Sequence, residues 1–396
     1  MQKQRIDKVI IAGGGIAGPV LGLFLRRLGV HVVIAEARPA LLASEGAFLG
    51  LAPNGMNVLA ELGLAEKVAM LGHACNSFAF VNGEGRGIGE IDRRADKRQF
   101  GWALTMVRRG QLHALLATEA ARAGVEIRYG ARVVGVEHEE DGRVVARLAG
   151  AEDLAGDLLV GADGLRSAVR QLALPNAPAP VYDGLFDCGG FAPAGASALP
   201  FGSGVNQMLF GRRAFFGAFT TPLGETWWFA NGPAKEADAV DAAGLRARLS
   251  QLFAADPSWV QALIDATPEL LGPWPLYDLE GMKTWSADRV VLIGDAAHAM
   301  SPSAGQGASL AIEDSLVLAQ SLRDTAPEAG LSAALAAYER RRRPRVDAIF
   351  RQARRNSQRK AVEGRLALWL RDRMMPMFLK LGAKQHSKAY AYRLSW

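Results

Sequence analysis

The chain has 396 residues, with 46 Lys+Arg against 40 Asp+Glu, a formal net charge of +6, 49% hydrophobic and 22% charged residues. This composition excludes a disordered or fibrous chain, and the length allows roughly two to three domains around a large core. The charge is uneven: Arg340–Trp396 holds 17 Lys+Arg and 3 Asp+Glu, a net of +14, which leaves −8 for the first 339 residues. Cys75 and Cys188 are the two cysteines, so neither a disulfide framework nor a cysteine metal centre is indicated, and no metal is expected. The opening Met-Gln-Lys-Gln-Arg-Ile-Asp has no apolar leader, and no stretch approaches the roughly 18 apolar residues of a spanning helix. The expectation is a soluble protein of the reducing cytoplasm with no membrane insertion.

Lys8–Ala12 is a short β-branched run that reads as a buried parallel strand. It breaks into Gly13-Gly14-Gly15-Ile16-Ala17-Gly18, a G-x-G-x-x-G, followed by a helical pattern through Leu28 and a second strand, Val30–Ala35, that ends at Glu36. Strand, glycine turn, helix, strand and acid in this order form a dinucleotide-binding unit. The glycines let the backbone approach a pyrophosphate at the helix N-terminus, and Glu36 can accept hydrogen bonds from ribose hydroxyls. The motif alone leaves FAD and NAD open.

Asp157–Arg170 reads as a buried strand, then Asp163-Gly164, then a helix start; Asp163 can serve as the cap of that helix. From Val181 to Glu280 the pattern changes. Phe210–Thr221 and Thr226–Asn231 cluster aromatics around a Pro222-Leu223-Gly224-Glu225 turn and read as an antiparallel hairpin. A two-residue period sends half of these aromatics into plain core. Phe186, Cys188, Phe216 and Trp228 are the candidate pocket residues, with Gly189-Gly190 leaving room for a ring. Arg212 and Arg213 read as solvated hairpin charges.

Arg289–Leu318 gives another strand, then Gly294-Asp295, a Ser/Pro/Gly-rich loop, and an amphipathic helix from near Gly305. Asp295 is placed for hydroxyl groups, and free N–H groups at Gly305–Gly307 offer a positive helix end. His298 reads as a structural histidine and Asp314 as part of an ordinary helix face. In the basic tail, Pro344 would break or kink a helix. Beyond it Leu366, Leu368, Trp369, Leu370, Met374, Met375, Met377 and Phe378 supply an apolar side, interrupted by Pro376, with Arg371, Arg373 and Lys380 opposite. Docking of this region on the acidic body is the expectation, rather than nucleic-acid or membrane binding.

The three motifs, in this order and at these spacings, resemble the group A FAD-dependent aromatic hydroxylases, the para-hydroxybenzoate and salicylate hydroxylase family, along the whole chain. Pro53-Asn54-Gly55 with Leu62-Gly63-Leu64, Arg109-Gly-Gln-Leu112 with Arg108 adjacent, and Tyr338-Glu339 through Arg345 also resemble family segments. The resemblance implies FAD held by Gly13, Gly15, Ile16, Ala17, Gly18, Glu36, Ala37, Arg38, Arg109, Asp163, Gly294, Asp295, Pro302, Gly305, Gln306 and Gly307. It implies Pro302 and Gly305 beside the reacting atoms, where the helix end would stabilise reduced flavin.

The implied fold is α/β: a Rossmann-like FAD-binding domain (1–75, 101–180, 281–340) with a mostly antiparallel β-sheet substrate domain (76–100, 181–280) and C-terminal helices (341–396). The implied reaction uses NADH or NADPH and O2 to hydroxylate an aromatic or polyketide-like molecule through a C4a-hydroperoxyflavin, in a monomer or homodimer. The family's Tyr and Arg/Ser substrate grip has no counterpart here, which points to a larger or more apolar aromatic than a small benzoate. The alternatives are a tetracycline-inactivating monooxygenase, a non-oxygenating reductase, and a flavoprotein with a polyanion-binding tail.

Overall fold

The computed structural model describes residues 6–41, 46–196, 199–236, 243–358, 370, 372–375, 377 and 387–396. Lys8–Ala12 lies at the centre of a six-stranded sheet among these residues, parallel to His31–Glu36 on one side and Leu158–Gly161 on the other. Val290–Leu292 and Glu126–Tyr129 extend it in parallel, and Ser286–Ala287 closes one edge in the opposite sense. Both faces are covered, which is why the central strands read as unbroken apolar runs: Val9, Ile10, Ile11, Val32, Val33 and Ile34 are all fully buried.

The helix Gly307–Asp324 runs through the middle of this half, packed against Ala17–Arg27, Pro53–Glu61 and Gly330–Gln358. It is buried on every side, polar residues included, so the expected amphipathic helix is instead a central one. Close approach is built in at Gly55, where a Cβ would stand 2.7 Å from Ser309 Oγ.

The second sheet has seven strands in the order Leu270–Asp278, Val181–Ala192, Thr226–Pro233, Phe215–Thr220, Val205–Phe210, Ser77–Asn82 and Gly87–Asp92. All neighbours are antiparallel except Val205–Phe210 with Ser77–Asn82. The expected single strand Phe210–Thr221 is two strands, because the chain turns at Gly211–Ala214, where a Cβ on Gly211 would lie 2.5 Å from the Ala214 carbonyl oxygen. The helices Leu245–Phe253 and Ser258–Ala266 cover one face of this sheet.

Pro344 does not end the basic helix. Gly330–Gln358 is continuous, with Pro344 on its exposed side, where the carbonyl it leaves without a partner can meet water. The final residues return to the first half: the Trp396 ring lies tilted against Phe24 with centroids 5.0 Å apart, and Arg345 lies 3.9 Å from the Tyr392 ring centroid. Of the expected apolar tail, Met375 is buried while Leu370 and Met377 are exposed. Leu366, Leu368, Trp369, Arg371, Pro376, Phe378 and Lys380 lie outside the described residues. Among the described residues, no helix is long and apolar enough to cross a membrane.

Candidate flavin site

The glycine turn is shaped by close backbone contact. Gly13 has φ +105°, and a Cβ there would lie 2.4 Å from the Ala162 carbonyl oxygen; on Gly18 it would lie 2.1 Å from that of Gly13. Only glycine fits either position. Gly15 differs: a Cβ there would meet nothing within 4 Å except the His113 ring. The helix Ala17–Arg27 starts at Ile16 with no side-chain cap, which leaves its first-turn N–H groups for an anion.

Glu36 closes the loop from the second strand. Its Oε2 accepts from Gly14 N at 2.6 Å and its Oε1 from Arg38 N at 2.9 Å and Arg38 Nε at 3.0 Å. Burial works against its charge, but these Arg38 and Gly14 hydrogen bonds hold its pKa below the ordinary carboxylate value. Ala37 and Arg38 follow directly. Of the adjacent arginines, Arg108 is engaged elsewhere: it pairs with Glu225 and lies 4.1 Å from the Phe191 ring centroid. Arg109 begins the helix Arg109–Arg122 and is exposed, which favours it as the arginine that meets the cofactor.

Asp163 accepts from Ser167 Oγ at 2.5 Å and Val169 N at 3.1 Å, so it acts on the site by shaping its own turn. Burial raises its pKa above the usual carboxylate value. Arg170, which sequence reasoning passed over, ties that turn to the next motif by donating to the carbonyls of Ala296 at 2.9 Å and Leu165 at 2.7 Å.

Gly294 (φ +58°) turns the chain into the short helix Asp295–His298, and the Asp295 side chain is exposed at its start. The loop Pro302–Ala304 makes one 3-10 turn and ends on Gly305 in the left-handed region, before Gly307–Asp324 begins without a side-chain cap. A Cβ on Gly305 or Gly307 would meet nothing within 4 Å. Pro302 and Gly305 are exposed. Bare glycine backbone thus faces open space at an uncapped helix end, as the negative edge of a reduced isoalloxazine requires.

A buried polar network supports this loop. Asn54 Nδ2 donates to Gln306 Oε1 at 3.0 Å and to Glu313 Oε1 at 2.7 Å. Glu313 also accepts from Arg342 at 2.6 Å and twice from Arg345 at 2.7 Å. Asp314 accepts from Gly294 N at 2.9 Å, Arg342 Nε at 2.7 Å and His298 Nε2 at 2.6 Å. Asp314 is therefore not an ordinary helix face. Burial opposes its charge, but His298 and Arg342 hold its pKa at about 2. His298 is buried and tied to Asp314. Two arginines of the basic segment are consumed here, inside the protein.

The substrate-side expectation needs correcting. Phe186, Cys188, Phe216 and Trp228 lie on the helix-covered face of the second sheet, in a core with Leu249, Phe253 and Leu263. Trp228 donates to Thr267 Oγ1 at 2.7 Å, and burial pushes the Cys188 thiol well above its ordinary pKa. Strand alternation puts Phe191, Phe215, Phe219, Trp227 and Phe229 on the other face. That face meets the first half, where Phe48 lies 5.6 Å from Trp227 and 6.1 Å from Phe229.

Residues 7–189 and 226–353 match the FAD binding domain family. The chain is 35% identical to aurachin C monooxygenase/isomerase of Stigmatella aurantiaca over 93% of its own length and 94% of that protein's. It is 30% identical to a 3-amino-4-hydroxybenzoate 2-monooxygenase of Streptomyces platensis, covering 93% and 92%. Its fold superposes on Klebsiella pneumoniae HpxO, solved with FAD and uric acid, at TM-score 0.86 and 25% identity, covering 97% and 96%. With the open glycine cradle, the acid on the second strand and the uncapped loop helix all suited to FAD, the chain belongs to the FAD-dependent aromatic hydroxylases and is a flavin monooxygenase reduced by NAD(P)H.

Proposed function

We propose that this enzyme hydroxylates an uncharged, electron-rich aromatic or N-heteroaromatic ring, held between the Pro302–Gly307 loop and the sheet face that carries Phe191 and Phe229. The observation behind this reading is the composition of that face. Phe191, Met208 and Phe229 are partly exposed there, as is Phe48 of the first half opposite them, and the Arg108 beside them is already neutralised by Glu225. An aromatic face whose neighbouring cation is spent favours a neutral ring over a small benzoate, whose carboxylate would need an unpaired partner. Uric acid, bound in one solved relative, is a carboxylate-free N-heterocycle of this kind, whereas the 3-amino-4-hydroxybenzoate named for another relative is a small benzoate and falls outside it.

FAD, when bound and reduced by NADH or NADPH, supplies an activated form of O2. The chain's own residues do the rest. Gly15 would admit the pyrophosphate over the tight turn that Gly13 and Gly18 make; Glu36 would hold the ribose, and Arg109 and Asp295 would meet the phosphates and the ribityl chain. Gly305, Gln306 and Gly307 would present N–H groups to negative charge on the reduced flavin, and Pro302 would line the transfer pocket through its backbone. The aromatic face excludes water. The basic segment serves the protein's own interior, through Arg342 and Arg345, rather than a polyanion.

The test is NAD(P)H oxidation by FAD-loaded enzyme against small benzoates, phenols, neutral N-heteroaromatics, polycyclic aromatics and a tetracycline, with product masses measured. Coupled oxygenation of neutral heteroaromatics supports the proposal. Coupled turnover confined to carboxylated benzoates or to the tetracycline contradicts it.

A further inference from the structure

His113 sits one turn into the helix Arg109–Arg122 and is only 5% exposed. Its Nε2 is fully buried and has no hydrogen-bond partner. A buried imidazole nitrogen without a partner is costly, so some group is expected to meet it. The nitrogen points at a specific place: a Cβ built on Gly15 would lie 3.5 Å from it, with no other side chain within 4 Å. Gly15 is the glycine whose missing side chain lets a pyrophosphate reach the backbone.

Charged groups converge on the ring from two elements. Arg109, on its own helix, and Arg38, just past the second strand, both act on it electrostatically, opposed by Glu36 at that strand's end. Burial, reinforced by the two arginines, pushes the pKa of His113 down to about 4. The ring is therefore neutral near pH 7, with one N–H to give.

We propose that His113 is a cofactor ligand, donating a hydrogen bond from Nε2 to the FAD pyrophosphate over Gly15, in an anion cradle completed by Arg109 and Arg38. This rests on the flavin reading and adds a residue that the fingerprint does not contain. Arg109 supplies charge from the mouth of the site; His113 supplies a directed donor from its floor, at a depth where an arginine would carry an uncompensated charge whenever the site is vacant.

The test is FAD titration of apoprotein, followed by quenching of flavin fluorescence, in wild type, His113→Phe and His113→Gln. The Phe variant fills the space without a donor, whereas the Gln variant restores an N–H near the Nε2 position. A hydrogen bond to a charged phosphate predicts roughly ten- to a hundredfold weaker binding for Phe and recovery of most of that loss by Gln. In wild type, the 15N signal of His113 Nε2 should shift on adding FAD, a readout independent of any variant's folding. A Phe variant within twofold of wild type, or an Nε2 signal unmoved by saturating FAD, overturns the inference alone. Wild-type apoprotein that takes up no FAD overturns the flavin reading together with it.

Discussion

Arg342→Met is the sharpest test of the buried network. Arg342 is completely buried and bonds Glu313 at 2.6 Å, Asp314 at 2.7 Å and the Leu310 carbonyl at 3.3 Å. Methionine keeps much of the apolar stem and removes the charge. Stripping one partner from a buried ion pair costs about 3–5 kcal/mol. Here Glu313 keeps Arg345 and Asp314 keeps His298, so the low end, about 3 kcal/mol, is expected. At about 2–4 °C per kcal/mol for a large domain, Tm should fall by roughly 10 °C. The acid limb should move as well. Asp314, held at about 2 in the folded protein, contributes stability that is present above its ordinary pKa of 3.8 and is lost as pH falls between the two. Without Arg342 its folded pKa rises, so acid unfolding should begin at higher pH. Circular dichroism against temperature and pH measures both. A Tm within about 2 °C of wild type with an unchanged acid limb would refute the reasoning.

Gly18→Ala places a Cβ 2.1 Å from the Gly13 carbonyl oxygen and should abolish FAD retention, read as flavin absorbance after gel filtration; normal retention counts against the tight-turn argument. Phe229→Ala should raise KM and divert NAD(P)H oxidation to peroxide at nearly unchanged Tm. Trp228→Phe, which removes the bond to Thr267, should lower stability by about 1 kcal/mol and leave KM alone; the opposite pattern would reverse the face assignment. Apoprotein stability should rise with pH between about 4 and 6.5, because the unfolded chain binds a proton at His113 that the folded chain refuses. That contribution is complete above 6.5 and worth up to about 3 kcal/mol, and His113→Phe should flatten it in acid unfolding curves.

The cofactor half was legible because its elements are local. Strand, glycine turn, helix and acid fall between Lys8 and Glu36, and Gly13 and Gly18 each answer to a close backbone contact, at Ala162 beyond the neighbouring strand and at Gly13 itself. The sheet face was not legible, because Thr226–Asn231 carries aromatics on both sides, so alternation gives a period without a sign. The sign comes from which side the helices Leu245–Phe253 and Ser258–Ala266 cover. The tail's charge pointed to the protein's own acidic body, but not to the carboxylates that Arg342 and Arg345 meet, because Glu313 and Asp314 lie some 30 residues earlier and only the fold places them alongside. His113 lay four residues past the recognised Arg109, on the same helix face, and that spacing was the available signal.

The central claim is that this chain inserts one atom of O2 into an aromatic ring. Turnover of FAD-loaded enzyme with NAD(P)H and a coupled substrate under 18O2, followed by mass spectrometry of the product, tests it directly. A single labelled oxygen in the hydroxylated product and stoichiometric NAD(P)H consumption are expected. Label recovered only in peroxide and water, with the aromatic unchanged or oxygenated from unlabelled solvent, would contradict it.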